Sequence, residues 1–231
     1  MFLQSEFKGP PLAEGPLPAI IYFALSAEES LTLDPFNQPV AAWEKISGLR
    51  VFSFTLPGHG PGQDKLKAMS YWAAHWSEVE QFIEEAKREI TILTEQGYLN
   101  DRIGVAGLSR GAYIALRLAG IDSRIKAICG FAPLIKVEAL DEFKSITKPF
   151  ELSSLIGKPT RLYIGNNDTR VGTKNAYEFI EKLTKISLEN GVRSPQTELV
   201  IYPSIGYKGH GTPPEIFESG AEWIAEKILG T

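Results

Sequence analysis

The chain has little of what staples a fold or crosses a membrane. Cys129 is its only cysteine among 231 residues, so no internal disulfide can form, which agrees with a reducing compartment. No run of about 18 apolar residues is present to span a bilayer, and the opening MFLQSEFKGPPLAEGP lacks the continuous apolar stretch of a secretory signal. These absences predict a soluble, cytoplasmic protein with no membrane partner. Histidine is also scarce: His59, His75 and His210 are scattered and, with one cysteine, offer no metal-ligand spacing. No metal and no cofactor are expected. The 24 basic and 28 acidic residues give a net charge of −4 with no basic block, so nucleic acid is not an expected partner. Internal repeats, low-complexity tracts and domain-dividing linkers are missing as well, and the sequence carries no sign of oligomeric state.

What is there suits a buried core: 43% of the residues are apolar, and the length fits a single domain over 1–231 after a Pro/Gly-rich lead-in at 1–17. PAIIYFAL at 18–25 is apolar without helical period and reads as a strand buried on both faces. A polar loop follows. Val40, Trp43 and Ile46 predict a short helix over 39–46, and LRVFSFTL at 49–56 a second strand ending at PGHGPG. From Tyr71 to Gln96 apolar residues recur every three or four positions up to Gly97, which predicts one long amphipathic helix. Strand and helix then alternate: RIGVAGL with 110–119, RIKAICGFA, TRLYIG with 173–189, TELVIY with 214–229. Such alternation predicts an α/β fold, a mostly parallel central sheet with helices on both faces, and chemistry at the carboxyl ends of the strands. The irregular 134–156 stretch reads as an insertion with a short helix in it, of a length often used for lids.

The sharpest local signal is Gly107-Leu108-Ser109-Arg110-Gly111, a G-x-S-x-G between a strand and a helical pattern. A nucleophile on so tight a turn needs small residues two before and two after it, and both are glycine. The turn also sets Ser109 at a helix N-terminus, where free N–H groups favour developing negative charge. A glycine-flanked serine can also merely cap a helix; strand and helix in place on either side favour the nucleophile.

With these residues the chain resembles the α/β-hydrolase superfamily, and within it the small single-domain serine esterases similar to prolyl oligopeptidase catalytic domains and dienelactone hydrolases. The likeness runs from about residue 18 to 229 and includes GVAGLSRGA, the early PGHG, IGNNDTRV and GYKGHGTPPEIFESGAEWI. It implies the α/β-hydrolase fold with a small or minimal cap, and a catalytic order of serine, acid, histidine. Carried onto this sequence, the base is His210, in a glycine-rich loop before the last helix, and the acid is Asp168, ending YIGNND after a strand. Asp141 and Glu138 are reserve acids, while His59 and His75 are read as structural or surface imidazoles. The resemblance further implies an oxyanion hole made by the backbone amides of Arg110, the residue after the nucleophile, and Ser26, in the loop after the first strand. One departure stands out: where many relatives carry His-Gly, this chain has Ala24-Leu25. The Arg110 side chain has two open fates, binding a substrate carboxylate or pairing with an acidic loop.

Aromatic residues at loop and helix starts, Phe36, Trp72, Trp76 and Phe131, are the expected substrate-pocket walls, although the two tryptophans four apart also suit a core-facing helix. The expected partner is a small-molecule ester of short or medium acyl length. A peptidase similar to prolyl oligopeptidase and a non-catalytic binding protein on the same fold stay open as alternatives. A dehalogenase would carry aspartate at position 109.

Overall fold

A computed structural model describes residues 3–143 and 146–230. Among the described residues seven strands form one sheet: β1 (Ser5–Lys8), β2 (Leu17–Phe23), β3 (Arg50–Phe54), β4 (Leu99–Leu108), β5 (Ile125–Phe131), β6 (Thr160–Gly165) and β7 (Thr197–Tyr202). Their spatial order is β1-β3-β2-β4-β5-β6-β7, all parallel except β1, which runs antiparallel to β3. The same residues hold seven α-helices: α1 (Ala27–Thr32), α2 (Gln38–Trp43), α3 (Ala68–Ala74), α4 (Trp76–Glu95), α5 (Arg110–Ile121), α6 (Thr173–Glu189) and α7 (Pro214–Leu229).

Strand periodicity divides the core into two layers. Ala19, Ile21 and Phe23 of β2 face a cluster built with Val79, Phe82 and Ile90 of α4, Ile114 of α5 and Phe179 of α6. Ile20 and Tyr22 face the opposite cluster, with Trp43 of α2 and Phe217, Trp223 and Ile224 of α7. Because both faces are covered, β2 is a continuous apolar run without the alternation of a half-solvated strand. The indole of Trp43 donates to the carbonyl of Ala221 at 2.9 Å, tying α2 to α7.

Three local readings change. The lead-in contains β1, and Arg50, fully buried in β3, holds it: the guanidinium donates to the carbonyls of Pro10 (2.9 Å), Gly15 (2.7 Å), Tyr98 (2.6 Å) and Pro11. The polar loop after β2 contains α1, whose Ser26-Ala27-Glu28-Glu29 has the capping-box spacing. The helix expected from Tyr71 to Gln96 is two, broken at His75 (φ −127°, ψ 45°). Periodicity runs on through the break because Trp72 and Trp76 both pack on Tyr113 of α5, with centroids at 6.5 and 5.8 Å.

The 134–156 stretch holds three short 3-10 turns and no α-helix among its described residues; positions 144 and 145 lie outside them. It is fastened to the first layer: Phe143 packs on Trp76 (5.9 Å), Phe150 on Tyr113 and Phe179 (5.2 and 5.3 Å), and Lys148 donates to Glu80 at 2.7 Å.

Candidate active site

The site grows from the junction of β4 and α5. Ser109 sits there at φ 54°, ψ −112°, outside the regions a residue with a Cβ prefers. Neighbouring strands hold it: its N–H donates to the Phe131 carbonyl at the end of β5 (2.8 Å), and its own carbonyl accepts from Leu134 at 3.1 Å. The glycines on either side make the turn fit. A Cβ on Gly107 would lie 2.2 Å from the carbonyl carbon of Gly111, and one on Gly111 would lie 1.9 Å from the carbonyl oxygen of Phe23.

Two loops from the far side of the sheet converge on this serine. Asp168 follows β6 and is 3% exposed; one carboxylate oxygen accepts from the amides of Arg170 (2.9 Å) and Val171 (3.0 Å). Its other oxygen lies 2.7 Å from His210 Nδ1, and His210 Nε2 lies 2.9 Å from Ser109 Oγ. Since a carboxylate only accepts, Nδ1 carries the proton and Nε2 presents its lone pair to the serine hydroxyl. The His210 loop is stitched to the Asp168 loop by Thr169 N–H donating to the Lys208 carbonyl at 2.9 Å and Asn167 N–H donating to Ser204 Oγ at 2.7 Å. Gly209 permits the approach, because a Cβ there would lie 2.3 Å from the Asn167 carbonyl oxygen.

Beside the nucleophile, the amide of Arg110 makes no hydrogen bond among the described residues, as expected of the first residue of a helix. The Leu25 amide is engaged by Ser30 Oγ at 2.9 Å, and the backbone and hydroxyl of Ser26 face the Glu29 carboxylate. Register brings the Ser26 loop to the site, since Phe23 pairs with Gly107 and the chain turns away after it. The carboxylate on His210 Nδ1 is that of Asp168, not of the reserve acids Glu138 and Asp141 of the 134–156 stretch.

Two pocket expectations need correction. Trp72 and Phe131 are fully buried, Trp72 with its indole donating to the Pro57 carbonyl at 2.7 Å and Phe131 stacked on Tyr163 at 5.6 Å and against Phe217 at 4.9 Å. Both are core, filling the two layers from opposite faces of the sheet. Phe36 packs on the α2 and α7 layer, and its carbonyl accepts from Tyr22. Trp76 joins the α4 and α5 packing described above.

The Arg110 side chain makes no ion pair with an acidic loop among the described residues. It donates through Nη2 to His59 Nε2 at 2.9 Å and lies over the Trp72 ring at 5.6 Å. Burial and the charge of Arg110 push the His59 imidazole down to about 4, so it is neutral and accepting. Burial and the nearby Arg170 charge push Arg110 down to about 10, which leaves it a cation. Sequence reading singled out both residues and missed their contact, because nothing in PGHG or GLSRG encodes a partner 51 positions away.

Comparison with known proteins agrees with this architecture. Residues 56–205 match the dienelactone hydrolase family. TT1662 from Thermus thermophilus superposes with a TM-score of 0.73 at 18% identity, covering 98% of this chain and 94% of that one. Est1E from Butyrivibrio proteoclasticus, with ferulic acid bound, gives 0.65 at 15%, covering 98% and 96%. The Pyrococcus furiosus esterase PF2001 gives 0.63 at 20%, covering 93% and 83%. No curated protein matches by sequence.

Proposed function

From the premise that this chain belongs to the dienelactone hydrolase family and has the α/β-hydrolase fold, we propose that it is a serine hydrolase that cleaves carboxylic esters of small to medium acyl groups through an acyl-enzyme. The observation that carries the reading is the unbroken hydrogen-bond chain from Asp168 through His210 to Ser109, ending on a serine held at positive φ. A serine hydroxyl attacks an ester only when its proton has somewhere to go. His210 Nε2 takes that proton as Oγ bonds to the acyl carbon, and Asp168 stabilises the imidazolium and fixes the ring. The tetrahedral oxygen is met by the amides of Arg110 and Ser26, two donors of the kind that are each worth about a hundredfold or more in turnover. His210 returns the proton to the leaving alcohol, and water repeats the sequence to release the acid. Structures of the same fold named as esterases add support.

No helix among the described residues is long and apolar enough to cross a membrane; the partner proposed is the small ester itself, in the cytoplasm. The test is a series of p-nitrophenyl esters of rising acyl length with Ser109→Ala and His210→Ala beside the wild type. Both variants lose hydrolysis while keeping their fold, and Asp168→Asn is severely impaired. Near-normal turnover by Ser109→Ala would overturn the reading, and a wild type inert to every ester would favour a binding protein on this fold.

A further inference from the structure

The loop 55–67, between β3 and α3, supplies none of the three hydrogen-bonded residues, yet it touches both the Arg110 and the Ser26 segments. At one end His59, 3% exposed, accepts from Arg110. At the other, Lys65 pairs with Glu29, whose second oxygen accepts from Ser26 Oγ at 2.8 Å. Its root is pinned by the Trp72 indole on the Pro57 carbonyl. We propose that this loop is a strap that positions the oxyanion hole, His59 acting through Arg110 and Lys65 acting through Glu29 on Ser26. The proposal rests on the serine-esterase reading and adds two positioning residues to it.

The Arg110 contact is hard to explain as an ordinary surface arginine. The guanidinium has no carboxylate within ion-pair distance among the described residues, and its buried Nη1 has no partner there. A sequestered cation without a counter-ion is costly, so the imidazole lone pair and the Trp72 face are what keep it inward. The residue anchored this way is the first of α5, the position whose amide faces the developing oxyanion and whose helical turn is least restrained by its own hydrogen bonds.

The second tie runs through a capping box, in which the glutamate three residues after the N-cap reaches back to the N-cap residue. Glu29 sits at that spacing and its carboxylate engages both the hydroxyl and the backbone of Ser26. Lys65 holds the same carboxylate. Lys65 thus fixes the Ser26 turn through Glu29.

The experiment measures kcat and KM for p-nitrophenyl acetate, with active sites counted by fluorophosphonate labelling run to completion, and the Ki of phenylboronic acid, which forms a tetrahedral serine adduct. His59→Ala is expected to lower kcat per labelled site by about tenfold to a hundredfold, with KM within about twofold and the boronate Ki raised in proportion to the loss. His59→Gln, whose amide oxygen can accept from Arg110, recovers to within about threefold of wild type. Lys65→Met releases the carboxylate that holds the Ser26 turn and lowers kcat by about tenfold, while Lys65→Arg restores it. Lys65 is half exposed, so its variants test the strap even where His59→Ala fails to fold. A merely structural role would reduce the labelled fraction and leave kcat per site unchanged. Lys65→Met and folded His59 variants with kcat per site within twofold of wild type overturn the strap while leaving the esterase reading intact. A wild type that is neither labelled nor active overturns both.

Discussion

Gly111→Ala adds one methyl group where the elbow crosses the end of β2. The new Cβ would lie 1.9 Å from the Phe23 carbonyl oxygen and 2.5 Å from its carbon, whereas carbon contacts settle at about 3.5–4.0 Å. Phe23 cannot retreat, because β2 is hydrogen-bonded to β3 on one side and β4 on the other. The first turn of α5 must therefore lift, and Ser109 with it. Overpacking against side chains costs about 1–3 kcal/mol; against a fixed backbone we expect about 4 kcal/mol or more. For a chain of this size that is a fall in Tm of roughly 8–16 °C. Gly120→Ala on the same helix is the control, since its Cβ meets only the Ser154 hydroxyl, at 2.8 Å, which can rotate. Alanine's gain of about 1 kcal/mol in a helix offsets that adjustment. Thermal melts by circular dichroism, with ester turnover on the same samples, separate the two. Equal melting temperatures for Gly111→Ala and wild type would refute the close-approach argument.

Other outcomes follow from the same contacts. His59 is neutral in the fold down to about pH 4 but titrates near 6.5 when unfolded. Its stabilising contribution is therefore complete above pH 6.5 and is lost as pH falls toward 4. The groups facing it are Arg110, Glu29 and Lys65. Urea unfolding at pH 7 and pH 4.5 should show the wild type losing on the order of 2–3 kcal/mol more than His59→Gln between the two, and equal losses would contradict the buried neutral imidazole. Ser26 has φ −68°, which proline adopts freely. Ser26→Pro should thus keep the fold, remove only the N–H and cap hydroxyl, and lower turnover by about a hundredfold, against at most about tenfold for Ser26→Ala; equal rates would place the donor elsewhere. Trp72→Phe loses the bond to Pro57 and core volume, so it should lower Tm while leaving KM unchanged for every acyl length; a KM that changes with acyl length would restore Trp72 as a pocket wall.

The alternation of apolar runs and amphipathic stretches made the central parallel sheet and its two helical layers legible, because each run had to be buried on a defined number of faces. Ser109 was legible for a related reason: a turn that brings backbone to 2.2 Å or less from a would-be Cβ leaves only glycine at its flanks. His210 and Asp168 became candidates through resemblance to a family, since their hydrogen bond joins positions 42 apart in the chain. What stayed hidden depended on contacts rather than pattern. The break at His75 involves one residue's dihedrals and leaves the helical period intact. Arg50 is a charged residue in a buried strand whose carbonyl partners, in the lead-in and at Tyr98, no pattern announces. Trp72 and Phe131 looked available to a ligand because aromatic residues near strand and helix ends suit both pockets and cores, and burial decides between the two. The Ser26-x-x-Glu29 spacing was a signal for α1 that the polar composition of the segment obscured.

The central claim is that Ser109 carries the acyl group during turnover. Protein quenched in acid during hydrolysis of p-nitrophenyl acetate, then weighed intact and mapped by peptide mass spectrometry, should hold one acetyl group per chain, on Ser109. Ser109→Ala should hold none and release no nitrophenol above background. An acetyl group on another residue, or undiminished turnover by Ser109→Ala with no adduct at all, would contradict the account.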